Sequence, residues 1–143
     1  MAATALSTRA VLLIAALAIP LRADRVSDVR AQITYVASAL SAGNPADAMT
    51  RFDKSLPNYD TLRGYFDALG AFQVENEIDI VDEQDNDAET KLTVNWTLTL
   101  TDLASDSKRE RSGEINVRLV QKDGKWKIVD FTPIELFNPQ KQR

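Results

Sequence analysis

An α+β fold, with helices first and an antiparallel sheet second, is what the sequence predicts, and three observations carry the prediction. Apolar residues recur every three or four positions from Asp24 to Leu69, then every second position from Phe72 to Leu136. Asp123-Gly124, the strongest short hairpin signal in the chain, separates two of the alternating runs. With 143 residues, 44% of them hydrophobic and 27% charged, the chain suits one domain around one core.

The first helix is expected from Asp24 to about Ala42, where Val26, Val29, Ile33, Val36 and Leu40 share a face and Gly43-Asn44-Pro45 ends the run. Asn44 before Pro45 is placed to cap a second, short helix from Pro45 to Leu56, with Ala48, Met49 and Phe52 turned inward. Pro57-Asn58 breaks the chain again. A third helix then runs from Tyr59 to Leu69 with Tyr59, Leu62, Tyr65, Phe66 and Leu69 on one side, and Gly70 stops it.

Strand one carries Phe72, Val74, Asn76, Ile78 and Ile80 on one side and ends in the polar stretch Glu83 to Glu89. Strand two, KLTVNWTLTLT, sets Leu92, Val94, Trp96, Leu98 and Leu100 against a face of Thr and Asn. Strand three turns Gly113, Ile115, Val117 and Leu119 inward, and strand four is expected from Lys125 to Leu136. Residues directly opposite one another must share a face, so the hairpins constrain each other. A two-residue turn at Asp123-Gly124 pairs Leu119 with Ile128, Val117 with Asp130 and Ile115 with Thr132. Setting Trp96 opposite Ile115 aligns Leu98 with Gly113 and Leu100 with Arg111, and puts Asn76 opposite Trp96. A bulge would move this register by one, and Gly113 is the candidate for it.

Residues 1–23 read as a secretory signal. Arg9 precedes the apolar run from Val11 to Ile19, Pro20 follows, and Ala23 is the small residue before the cut. The run is about half the roughly 20 apolar residues of a spanning helix, so no stable membrane anchor is expected after cleavage. Cleavage removes Arg9 and Arg22 and no acidic residue, taking the net charge from −4 to −6. An acidic exported domain, residues 24–143, is a poor partner for nucleic acid. The absence of cysteine excludes disulfides, thiol nucleophiles and acylated cysteine, and the absence of histidine removes the commonest general base and zinc ligand. The acidic run from Asp82 to Glu89 lacks the glycine and flanking helices of a calcium loop and reads as a solvated hairpin tip. No metal or cofactor is expected.

Three segments carry a resemblance: VSDVRAQITYVASALSAGN, YDTLRGYFDALG and GEINVRLVQKDGKWKIVDFTP. From Asp24 to about Pro139 the chain resembles the nuclear transport factor 2-like superfamily, cone-shaped, cystatin-like α+β domains that include ketosteroid isomerases, scytalone dehydratase and polyketide cyclases. The resemblance implies three helices packed in the concave face of a curved four-stranded antiparallel sheet, around a conical pocket. Trp126 and Ile128 match the aromatic and aliphatic positions of its last strand. Asp130 and Thr132 stand where its enzymes often place an inward histidine or other polar group. The ketosteroid isomerases work with carboxylates and a tyrosine, but their base sits on the first strand, where this chain has Asn76.

Asp130 is therefore the candidate catalytic residue, since the register puts its carboxylate among Val117, Leu119, Ile128 and Trp96, where burial raises the pKa; the alternatives are a pair with an Arg or a backbone amide at the cone's rim, or a bulged strand four that turns it to water. Tyr59, Tyr65, Asn76, Trp96 and Thr132 are the candidate ligand-binding residues of an aromatic, sparsely polar pocket. Arg111 is placed at the mouth, as a solvated strand end or as an attractor of an acid. The opposite sheet face, with Val129 and Phe131 among polar residues, is the candidate surface for a homodimer. The function expected is an exported domain that binds a small apolar or amphipathic molecule in the cone, or serves in assembly, without catalysis. The alternative is a carboxylate-based isomerase or lyase of the ketosteroid isomerase kind, using Asp130 with Tyr65 or Tyr59.

Overall fold

The computed structural model describes residues 25–140; residues 1–23, expected to be a secretory signal, lie outside the described residues. Helix α1 (25–41) buries Val29, Ile33, Val36, Ala37 and Leu40, the stripe its periodicity requires. Gly43 ends it at φ 73°, and the amides of Gly43 and Asn44 bond back to Leu40 and Ala39 at 3.2 and 2.9 Å, closing a Schellman turn.

Helix α2 (Pro45–Met49) is a single turn, shorter than the twelve-residue pattern suggested, and Asn44 caps it without a side-chain bond to the backbone. The reason lies in the sheet. The Asp53 amide donates to the Ile128 carbonyl at 2.8 Å and the Ile128 amide to the Arg51 carbonyl at 2.9 Å, so the chain leaves the helix to satisfy a strand edge. Phe52 still reaches the core, as its spacing required. Helix α3 (Tyr59–Ala68) buries Leu62 and Phe66, and a 3-10 turn (Leu69–Ala71) leads into the sheet.

Strands β1 (Phe72–Asn86), β2 (Glu89–Asp102), β3 (Lys108–Lys122) and β4 (Lys125–Thr132) form an antiparallel meander in that order. Leu92, Val94, Trp96, Leu98 and Leu100 are all buried, as alternation predicts. Pairing differs from expectation by two residues: Trp96 lies opposite Gly113 and Ile78, and Leu98 opposite Arg111. A two-residue slip preserves every face.

The β3–β4 hairpin departs by one residue, and that changes faces. Lys122 pairs with Lys125 and Leu119 with Ile128 as expected, but Arg118 then pairs with Asp130 and Val117 with Phe131. Val129 is the extra residue of a bulge. Phe131, 1% exposed, turns inward to the core cluster, and Val129, 8% exposed, is buried at the bulge. Gly113, the expected bulge site, sits in an unbroken ladder. Strand β4 also stops at Thr132, because Pro133 has no amide with which to continue pairing, and a second 3-10 turn (Ile134–Phe137) follows where more strand was expected.

That turn carries Phe137 into the middle of the fold. Phe137 lies 5.2 Å from Trp96, 5.5 Å from Phe66 and 5.4 Å from Phe131, ring centre to ring centre, and Phe52 meets Phe131 at 5.1 Å. Most of these pairs are edge-to-face, the arrangement ring quadrupoles favour. Five aromatic side chains therefore occupy the concave side of the sheet.

Asp53 fastens the α2–α3 connection to the β3–β4 hairpin. It accepts from the Ser55 hydroxyl and amide and faces Lys122 Nζ at 3.2 Å. These bonds, Ser55 first, hold its carboxyl down from 3.8 to about 2. A depressed carboxyl contributes stability above its unfolded pKa that is lost as pH falls towards the folded value. Asp53→Asn is expected to cost under about 1 kcal/mol at neutral pH, since the Lys122 partner is screened by solvent. It is also expected to flatten the stability loss between about pH 4 and about pH 2. Urea midpoints measured on both proteins across that interval check it.

Candidate functional site

Trp96 and Asn76 are brought together as expected, although they are diagonal rather than opposite. Trp96 Nε1 donates to Asn76 Oδ1 at 2.8 Å, and Asn76 Nδ2 donates to the Ala37 carbonyl at 3.1 Å and to Ser41 Oγ at 2.9 Å. Asn76 thus ties the indole to the last turn of α1. The space expected in front of Trp96 is filled by Phe131 and Phe137.

Tyr59 and Tyr65 lie half-buried on α3, packed against the margin of the core. The Tyr65 hydroxyl donates to Glu135 Oε1 at 3.2 Å. Partial burial, then the Glu135 carboxylate, raises the Tyr65 pKa, so this phenol is a donor at neutral pH rather than a base.

Asp130 and Thr132 are on the other side of the sheet, because the Val129 bulge reverses the expected alternation. Asp130 accepts from Arg118 Nε at 2.7 Å, and Arg118 Nη1 donates to Glu89 at 2.9 Å. Asp130 and Thr132 share a hollow of about 460 Å³ with Asp82, Lys91, Thr93 and Asn116, but it opens on the outer face, away from Trp96, Asn76 and both tyrosines. An ion pair in that setting contributes little, so Asp130→Asn is expected to cost less than about 1 kcal/mol. Chemical denaturation checks this; a loss above about 3 kcal/mol would mean a carboxylate in the core.

A second concavity lies at the free edge of β3. Strand β4 leaves the sheet at the Asn116–Thr132 pair, so β3 residues 108–115 have no strand partner on that side. The 3-10 turn crosses there and leaves a groove of about 450 Å³. Gly113, Ile115, Pro133 and Leu136 supply its apolar wall, and Glu110, Ser112 and Glu135 its polar margin. Arg111 closes the set, only 8% exposed. Its Nη1 donates to the carbonyls of Leu136, at 3.2 Å, and Asn138. Its Nη2 is buried with no partner among the described residues. Burial, then the neighbouring Arg109, lowers the Arg111 pKa; Arg109 itself donates to the Pro139 carbonyl at 2.9 Å.

Arg111 is the residue that sequence reasoning undervalued. The inward set of β3 begins at Gly113 in the expected register, and one further step of the same alternation reaches Arg111. Its charge suggested a solvated strand end, whereas the carbonyls of the C-terminal segment make its burial tolerable.

No protein-family model and no curated protein matches the sequence. Solved structures match the architecture. A conserved protein from Planctomyces limnophilus superposes with a TM-score of 0.69 at 10% identity, covering 77% of this chain and 94% of that one. An NTF-2 like protein of unknown function from Shewanella oneidensis gives 0.61 at 12% identity, with 75% and 96% covered. This is the nuclear transport factor 2-like fold. A putative scytalone dehydratase from Novosphingobium aromaticivorans shares it as well, with a TM-score of 0.68 at 13% identity over 77% of this chain and 83% of that one. At these identities the nuclear transport factor 2-like likeness is one of fold, and chemistry has to be read from the side chains.

Proposed function

We propose that this is an exported binding domain that holds a small amphipathic molecule in the groove at the free edge of β3. The observation that carries the reading is the groove itself: about 450 Å³, walled by Ile115, Pro133 and Leu136, with a buried cation at one end. That volume lies within the ~300–1,000 Å³ of small-molecule sites, and an apolar wall with a few polar groups is their usual composition. The export half rests on the residue pattern of the first twenty-three positions.

The isomerase or lyase alternative drew on a carboxylate inside the cone, and Asp130, on the outer face and paired with Arg118, does not support it. The outer sheet face does not favour a second copy either. Phe131, half of its expected apolar centre, is in the core, and Val129 is buried, while Glu75, Glu77 and Asp79 on β1 and Glu110 and Glu114 on β3 stand exposed. Two such faces would oppose like charges without an apolar centre to offset them.

Native mass spectrometry of the protein purified from its own cells tests the reading. The expected result is a population carrying one non-covalent small molecule, reduced in Gly113→Leu. Position 113 accepts a side chain, since a Cβ there would sit 3.8 Å from Leu136 Cδ1, at ordinary contact distance, and a longer chain would fill the groove. A spectrum of the bare polypeptide alone, together with no binding of added amphiphiles, overturns it.

A further inference from the structure

The groove contains a cation with a donor that nothing accepts. Arg111 is more than nine-tenths buried, its Nη1 serves two main-chain carbonyls, and its Nη2 has no partner among the described residues. A buried charged donor left unmade is costly, and a ligand that supplies the acceptor recovers that loss on binding. The salt bridges of the described residues engage Arg30, Arg118 and Lys122, and none reaches Arg111. The described residues thus supply Arg111 with carbonyl dipoles and no counter-charge within ion-pair distance.

The rest of the wall sorts the anions. Glu110 stands at the margin, so a dianion such as a phosphate monoester would meet a carboxylate and carry more charge than one available donor offsets. A monoanion meets less repulsion. Pro133 and Leu136 offer an apolar surface over the buried Ile115, and the missing side chain at Gly113 leaves room beside them. Arg109, next to Arg111 on the strand, adds positive potential at the same end.

Building on the binding function proposed above, we propose that the groove takes a monocarboxylic acid with an aliphatic tail. One carboxylate oxygen accepts from Arg111 Nη2, and the tail lies along Leu136 and Pro133. A charge-assisted bond of this kind spans about 2.7–2.9 Å and is roughly twice as strong as a neutral one. An alcohol or amide of the same chain length keeps the tail contacts and loses the charge. Recognition is thus split between a tail contact common to any amphiphile and a head contact specific for the acid.

The test titrates the full-length protein with decanoate and, separately, with decanol at physiological salt, following tryptophan fluorescence and heat. Decanoate is expected to bind with one saturable site and decanol at least tenfold more weakly. Arg111→Met is expected to abolish the preference, bringing decanoate affinity to that of decanol in the same variant. Gly113→Leu is expected to block both ligands while the circular dichroism spectrum and Tm remain those of the parent. Equal affinity for acid and alcohol in the parent protein overturns the carboxylate proposal and leaves the groove reading standing. Arg111→Met with undiminished preference does the same. Failure of both ligands to bind, or their indifference to Gly113→Leu, overturns the groove reading and the proposal with it. Should Arg111→Met not fold, the acid-to-alcohol ratio in the parent protein still decides.

Discussion

Trp96→Ala is expected to lower the unfolding free energy by about 3–5 kcal/mol, the range for deleting a large aromatic side chain from a close-packed core. Trp96 is 1% exposed and stacks edge-on against Phe131 at 5.8 Å and Phe137 at 5.2 Å. Its removal leaves those rings without a partner and leaves Asn76 Oδ1 without the indole donor, which adds about 1 kcal/mol or more. Against the ~5–15 kcal/mol stability of an ordinary domain, that loss is a third or more of the total. Trp96→Phe keeps most of the ring contacts and forfeits the hydrogen bond, so about 1–2 kcal/mol is expected. Urea unfolding of the three proteins supplies the comparison. A cost below about 1 kcal/mol for Trp96→Ala would place the indole beside an open, hydrated pocket, with the cone empty rather than filled.

The faces of β2 were legible because burial follows parity, and parity survives an error of two. Trp96 was expected opposite Ile115 and lies opposite Gly113, yet its side chain is where alternation put it. The hairpin at Asp123-Gly124 was legible because a two-residue turn leaves one pairing, and Leu119 does face Ile128. A bulge in strand four that turns Asp130 to water, or an Arg partner for it, stood among the alternatives, and Ile128-Val129-Asp130-Phe131 held the hint. Strict alternation buries Asp130 and Thr132 while exposing Val129 and Phe131, a poorer partition of apolar surface than one inserted residue produces. The segment from Pro133 to Phe137 was illegible for another reason. Its apolar residues fit no single period, and only the space left between Phe66 and Trp96 identifies Phe137 as the side chain that fills it. The groove was hidden by the same error, because a strand continued to Leu136 would have covered the edge of β3 where Arg111 lies.

Phe131→Asp is expected to abolish cooperative folding at neutral pH. The bulge at Val129 sends Phe131 between Phe52, 5.1 Å away, and Trp96, 5.8 Å away. Replacing the ring removes about 3–5 kcal/mol of packing, as for any large aromatic in a core. The carboxylate would then sit among apolar groups with no cation at hand, a further penalty of several kcal/mol, so the sum rivals the ~5–15 kcal/mol that holds a domain together. Circular dichroism and solubility of the expressed variant report the outcome, and a stable, soluble Phe131→Asp would put residue 131 on the outer face and remove the bulge. Deleting Val129 probes the same feature from the opposite direction. Without the extra residue, Ile128 still faces Leu119, Asp130 still faces Arg118 and Phe131 still faces Val117, so the ladder becomes regular and no side chain changes face. A loss of about 1–3 kcal/mol is expected from the missing buried valine and the straightened strand. In an unbulged strand the same deletion would turn Asp130 and Phe131 to opposite faces and unfold the domain. The two variants thus predict opposite outcomes for the two registers: in the bulged strand the charge at 131 is not tolerated and the shortened strand is.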